Sequence, residues 1–177
     1  MDWTIDPRNV ESSFNRIAKE LLTSYALYAN AKEFRITEIE FYFYHPEHPD
    51  NYTHPHKRKK GEWRFHNQGL DITLSGNETQ DGGILIRGIK NDRYVNGPRK
   101  IIYYLFQHFD NVESSNSLEL KKSNCLSKKI IRTFRHLPNK ITDPGFHDKY
   151  YRYLVDLDEL QITNSEKNYI RNKSEVL

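Results

Sequence analysis

Residues 34–44 read Phe-Arg-Ile-Thr-Glu-Ile-Glu-Phe-Tyr-Phe-Tyr, and this run constrains the fold more than any other stretch of the chain. β-Branched and aromatic residues dominate it, which is the composition of a strand. Successive side chains on a strand point to opposite faces. Ile39, Phe41 and Phe43 therefore share one face, and Glu38, Glu40, Tyr42 and Tyr44 share the other. The first face needs a core. The second is acidic and phenolic, which suits a cleft.

The rest of the chain supplies partners for that strand. Asp6-Pro7 has the form of a helix start, and Phe14, Ile17, Ala18, Leu21, Leu22, Tyr25 and Ala26 recur at helical spacing. They predict an amphipathic packing helix over residues 7–30. Residues 45–61 form a loop with three prolines, four histidines and the basic run Lys57, Arg58, Lys59, Lys60. Short strands are expected at 62–66, 70–75, 84–89, 117–121 and 150–155, and a helix after Asn96-Gly97-Pro98. On the 84–89 strand Leu85, Arg87 and Ile89 share a face, so Arg87 is a charge within an apolar run. Such a charge is usually paired or functional. Residues 126–134 fit either a helix or a strand, and residues 156–177 either a polar helix or a frayed tail, with fraying expected over 164–177.

A chain of 177 residues fits one domain with one core. Hydrophobic residues make up only 36% and twelve residues are Tyr, so phenol hydroxyls should reach the surface or a cleft. The net charge of +3 is too small to indicate nucleic-acid binding, which leaves local charge placement to decide. The one cysteine, Cys125, offers no disulfide framework and is expected to be an inert thiol. The first residues lack the regions of a signal peptide, and no apolar run approaches a membrane span. The expectation is a cytoplasmic protein with no membrane partner.

Three constellations could carry chemistry. Glu40 and Tyr42 on one strand with Arg87 from another could hold an ionised carboxylate that orders water beside a stacking ring. On composition alone, a cross-strand ion pair beside a surface tyrosine is the more common outcome. His45, His48, Asp50, His54 and His56, with His66 beyond, could bind a divalent metal. Their spacing matches no zinc motif, so a hydrated loop without metal is the plainer reading, and no metal or cofactor is expected. Lys57, Arg58, Lys59 and Lys60 beside Trp63, Arg64 and Phe65 interleave charge with aromatics, as a surface that tracks a backbone and stacks bases would. A charge run of four is also a common solvated loop.

Several of these segments, in order, resemble the alkyladenine (3-methyladenine) DNA glycosylase family. Residues 36–42, Ile-Thr-Glu-Ile-Glu-Phe-Tyr, resemble that family's Ile-Val-Glu-Thr-Glu-Ala-Tyr. Asp50-Asn51-Tyr52-Thr53-His54 is similar to its Asp-x-Ala-x-His segment. Residues 60–66 fall where the family has Pro-Gly-x-Leu-Tyr-Val-Tyr, and residues 82–89 resemble its Ala-Val-Leu-Leu-Arg-Ala strand. Asn96-Gly97-Pro98-Arg99-Lys100 resembles its Ser-Gly-Pro-Ser-Lys helix start. The set covers residues 34–106.

The resemblance implies a single α+β domain, with a mixed or antiparallel curved β-sheet like that of the formyltransferase C-terminal domain, flanked by helices. It implies a hydrolase of base excision repair that acts as a monomer on nucleic acid, DNA by expectation. Glu40 would activate the attacking water, His54 and Arg87 would position it, and Tyr42 would stack on a flipped base with His66 or Trp63. Lys57, Arg58, Lys59, Lys60 and Arg64 would hold the nucleic-acid backbone. The chain departs from the pattern where bases are read. Gln68 precedes Gly69 where the family has a wedging tyrosine, and Thr73 or Ser75 stands near its pocket asparagine. Alternatives are an inactive nucleic-acid- or nucleotide-binding module on the same fold, a metal-dependent nuclease using the histidine loop, and an N-glycosidase acting on a free nucleotide.

Overall fold

The computed structural model describes residues 1–77, 79–124, 129–137 and 144–177. In chain order the elements are α1 (Val10–Ser24), β1 (Tyr25–Ala29), β2 (Lys32–His45), β3 (His48–Pro49), β4 (Trp63–His66), β5 (Gly69–Gly76), β6 (Asp81–Lys90) and β7 (Tyr94–Asn96). Then follow α2 (Pro98–Phe106), β8 (Leu118–Lys122), β9 (Ile130–Thr133), α3 (Pro144–His147), β10 (Arg152–Val155), α4 (Asn164–Asn172) and β11 (Ser174–Val176). The strands form one sheet whose main path is β11-β9-β10-β2-β6-β5-β4, and every pair in it is antiparallel. This is an α+β domain, as the sequence predicts.

The long strand β2 is central, paired to β6 on one side and β10 on the other. Phe34, Ile36, Ile39, Phe41 and Phe43 are all buried in the main core. Their spacing changes parity between Ile36 and Ile39. The change is a bulge: β2 and β6 slip register at Thr37 and Glu38, opposite Gly88. The same irregularity turns Ile89 into the core, on the face opposite Leu85 and Arg87, and so corrects the expectation that the three share a face. Gly88 is required there, because a Cβ would lie 2.6 Å from Thr37 Oγ1 and 2.9 Å from Glu38 Cβ.

Helix α1 packs Phe14 against Phe41 with ring centroids 4.3 Å apart. It ends at Ser24, six residues short of the expected end. Tyr25 and Ala26 continue the helical spacing by coincidence. They belong to β1, which is held from both sides by β2 and β8. The start is also later, with Asn9 rather than Asp6 at the cap position. Asp6 instead accepts the Arg8 backbone N–H at 3.0 Å. The final segment is ordered by α4, capped by Thr163, and by β11 on the edge of the sheet. Residues 130–133 of the ambiguous segment are a strand. Cys125 lies outside the described residues. Among the described residues, no helix is long and apolar enough to cross a membrane.

Candidate functional site

The face of the sheet opposite α1 carries a row of polar side chains. Register places Arg152, Glu40, Leu85, Asp71 and Arg64 side by side on β10, β2, β6, β5 and β4. Antiparallel neighbours lie about 4.8 Å apart. Glu40 and Asp71 are therefore separated by roughly two strand spacings, with Leu85 between them.

At one end the row is sealed. Glu40 is 0% exposed. Its carboxylate accepts from the Tyr42 hydroxyl at 2.9 Å, from Arg87 at 3.3 Å and from the His136 backbone N–H. Arg87 and Arg152 both donate to Glu38 Oε1, at 2.9 and 2.8 Å, and Arg152 reaches on to Glu166 at 3.2 Å. Burial pushes the Glu40 pKa up, but Arg87, Arg152, the His136 N–H and the Tyr42 hydroxyl outweigh it and hold the carboxyl below its usual value. Tyr42 is driven well above the ordinary phenol value by burial and by Glu40, so it stays a neutral donor.

At the other end the row opens into a cavity of about 430 Å³. Tyr42 and Tyr52, His54 and His66 line it, with Gly83 and Leu85 on the sheet beneath and Asp71, Arg64, Gln68 and His136 among the remaining walls. That volume lies within the roughly 300–1,000 Å³ of small-molecule sites. The absence of a side chain at Gly83 keeps the floor low. A Cβ there would meet the Asp71 carboxylate at 3.1 Å.

The sequence-predicted residues divide between these two ends. Glu40 and Arg87 meet, as expected, but beneath Tyr42 and not on the cavity wall. Tyr42, His54, His66, Gln68 and Arg64 line the cavity. Trp63 does not. Alternation along β4 turns it away from Arg64 and His66, and its indole N–H donates to the Leu118 carbonyl at 2.8 Å. Ser75 also stays off the cavity, which Asp71 alone reaches from β5. Lys57, Arg58, Lys59 and Lys60 are exposed on the loop that carries His54.

The residues of the histidine loop take separate partners. His48 is buried, with Nδ1 2.8 Å from the Phe43 carbonyl and Nε2 2.9 Å from the Tyr151 hydroxyl. Burial lowers its pKa. Asp50 forms a fully buried ion pair with Arg135, at 2.6 and 3.1 Å, and Arg135 lies over the rings of Tyr42, Tyr52 and Tyr151. His56 Nε2 sits 2.9 Å from the Gly82 carbonyl. No group of three or more His, Cys, Asp or Glu that could hold a metal ion occurs among the described residues.

Sequence reasoning missed Asp71, Tyr52, Arg135 and His136. A signal for Asp71 was available, since Asp is depleted inside strands and here it interrupts Leu70, Ile72 and Leu74. For Arg135 and His136 there was none, because their sites are reached across 85 and 96 residues of sequence.

The fold and site together define a sheet domain with a buried charge network beneath an aromatic pocket. No family model matches the chain. The chain is similar to the uncharacterized protein L759 of Acanthamoeba polyphaga mimivirus, at 30% identity over 144 residues. The match covers 62% of this chain and 66% of the viral protein, just under two thirds of the relative's length.

Proposed function

We propose that the cavity holds a single unstacked base of a nucleic acid, and that this protein is a nucleic-acid-binding module. The observation that carries the reading is the cavity's composition. Four flat side chains, Tyr42, Tyr52, His54 and His66, surround a space with a carboxylate and a guanidinium on its wall. Aromatic faces bind bases by stacking, and polar groups at the edge fix orientation. The exposed cations at residues 57–60 follow His54 on the same loop and supply phosphate contacts.

A second reading is favoured by the Glu40–Tyr42 contact. If Tyr42 swings aside on binding, Glu40 faces the cavity and could direct water at the sugar carbon of an N-glycosidic bond, as in the glycosylases that residues 34–106 resemble. Two observations favour the first reading over it. The Glu40 carboxylate already accepts from Tyr42, Arg87 and the His136 N–H, and a carboxylate held below its usual pKa is a weak proton acceptor.

One experiment separates the readings. A labelled oligonucleotide is titrated with protein, and after long incubation the strand is treated with alkali to reveal abasic sites. Saturable binding without abasic product supports the binding module. Abasic product from the native protein but not from Glu40→Gln moves the assignment to the glycosylase. No saturable binding sinks both.

A further inference from the structure

The carboxylate of Asp71 is unusual in its surroundings. Its residue is only 6% exposed, and what exposure it has is to the cavity. Two side chains approach Oδ2: the Arg64 guanidinium at 3.6 Å and the His66 imidazole Nε2 at 3.1 Å, the latter not aligned as a hydrogen bond. Oδ1 accepts no hydrogen bond among the described residues. Arg64 is itself steadied by the His54 carbonyl, 3.3 Å from its terminal nitrogen. The wall therefore presents a donor and an acceptor side by side, both on rigid adjacent strands, Arg64 directly across from Asp71.

A buried carboxylate is acceptor only, and leaving it without a donor is costly. It rejects any base that turns a lone pair toward it. The pairing edge of adenine offers a donor beside an unprotonated ring nitrogen, and so does that of cytosine. Thymine and uracil flank one N–H with two carbonyls. Guanine alone offers an acceptor, O6, followed by two adjacent donors, N1–H and the N2 amine. That order complements a guanidinium beside a carboxylate.

We propose that Arg64 and Asp71 read the pairing edge of the bound base and make this a guanine-selective pocket. Asp71 accepts from N1–H and the N2 amine, and Arg64 donates to O6. The inference rests on the reading of the cavity as a base-binding site. It extends that reading to the choice of base, through a carboxylate that plays no part in the resemblance described above.

The test uses fluorescein-labelled oligothymidylate strands carrying one central guanine, hypoxanthine, adenine or cytosine, with binding followed by anisotropy. Hypoxanthine keeps O6 and N1–H and lacks only the amine. Guanine should bind on the order of tenfold tighter than hypoxanthine, and adenine and cytosine should bind more weakly still. Asp71→Asn, which keeps the shape but replaces an acceptor by a donor, should erase the guanine preference, so that the guanine strand binds no more tightly than the hypoxanthine strand. Competition by GMP but not AMP separates recognition of the base from recognition of the strand: GMP that displaces the strand identifies the base as the determinant. Equal affinity for all four central bases, combined with loss of binding in Tyr42→Ala, would overturn guanine selection and leave the base-binding site standing. No saturable binding of any strand or of GMP would overturn both. An Asp71→Asn variant that still prefers guanine would remove Asp71 from the assignment.

Discussion

The Tyr42 hydroxyl donates to the Glu40 carboxylate across 2.9 Å, and the same ring forms part of the cavity wall. Tyr42 is thus the boundary between a closed charge network and an open pocket. Removing only the hydroxyl tests the network without removing the wall. Tyr42→Phe should lower unfolding free energy by about 1.5–3 kcal/mol, the range for a hydrogen bond to a charged partner. Urea denaturation measures it. An unchanged midpoint would mean that this bond contributes nothing to the folded state.

Asp50 and Arg135 are both fully buried, and each completes the other's charge. Replacing one leaves the partner without compensation in an apolar surround. Asp50→Ala should destabilise the protein by about 3–5 kcal/mol, and thermal unfolding should move down accordingly. If Asp50 were a metal ligand instead, adding divalent cations to the native protein would raise its melting temperature; none is expected to do so.

Acid stability follows from Glu40. Its carboxyl titrates lower in the folded chain than the ordinary value of 4.5, because opposing charges and hydrogen bonds outweigh burial. The unfolded state therefore binds the proton more tightly. The stabilisation that this creates is present above about 4.5 and is lost as pH falls through the lower folded value. Unfolding free energy measured from pH 6 downward should fall through that window. Glu40→Gln should flatten this part of the slope. An identical slope in both proteins would show that Glu40 does not carry it.

The basic run at residues 57–60 should act on affinity through phosphate alone. Replacing Lys57 and Lys59 by Ala should weaken binding of every oligonucleotide alike and reduce the slope of log affinity against log salt by up to about 1.4, about 0.7 per phosphate contact for single strands. A changed base preference would place these residues at the base instead.

What the sequence made legible was local. The alternation on residues 34–44 placed Glu40 and Tyr42 on one face and Phe41 and Phe43 on the other, as found. The pairing of Glu40 with Arg87 was also anticipated, and both of its readings, ion pair and water site, began from that contact. The bulge at Thr37 and Glu38 was harder to see. It is written in the shift of apolar residues from even to odd positions, but its cause lies in β6. The helical spacing runs past the end of α1 because Tyr25 and Ala26 suit a helix and a strand equally, and the pairing of β1 with β2 and β8 decides between them. The closure of Glu40 could not be read at all. It depends on the His136 N–H, and the claims on Asp50 and Glu38 depend on Arg135 and Arg152, all from the last third of the chain. The sequence around His48 reads as a hydrated loop, yet Tyr151 reaches it from 103 residues away.

The central claim is that the ring of Tyr42 forms a wall on which a base stacks. The most direct measurement compares the affinity of one labelled single-stranded oligonucleotide for the native protein, Tyr42→Phe and Tyr42→Ala at fixed salt. Stacking on one aromatic side chain is worth about 1–3 kcal/mol. Tyr42→Phe should bind like the native protein, and Tyr42→Ala should bind roughly five- to 150-fold more weakly with the same salt dependence. Equal affinity for all three proteins would contradict a base in this cavity.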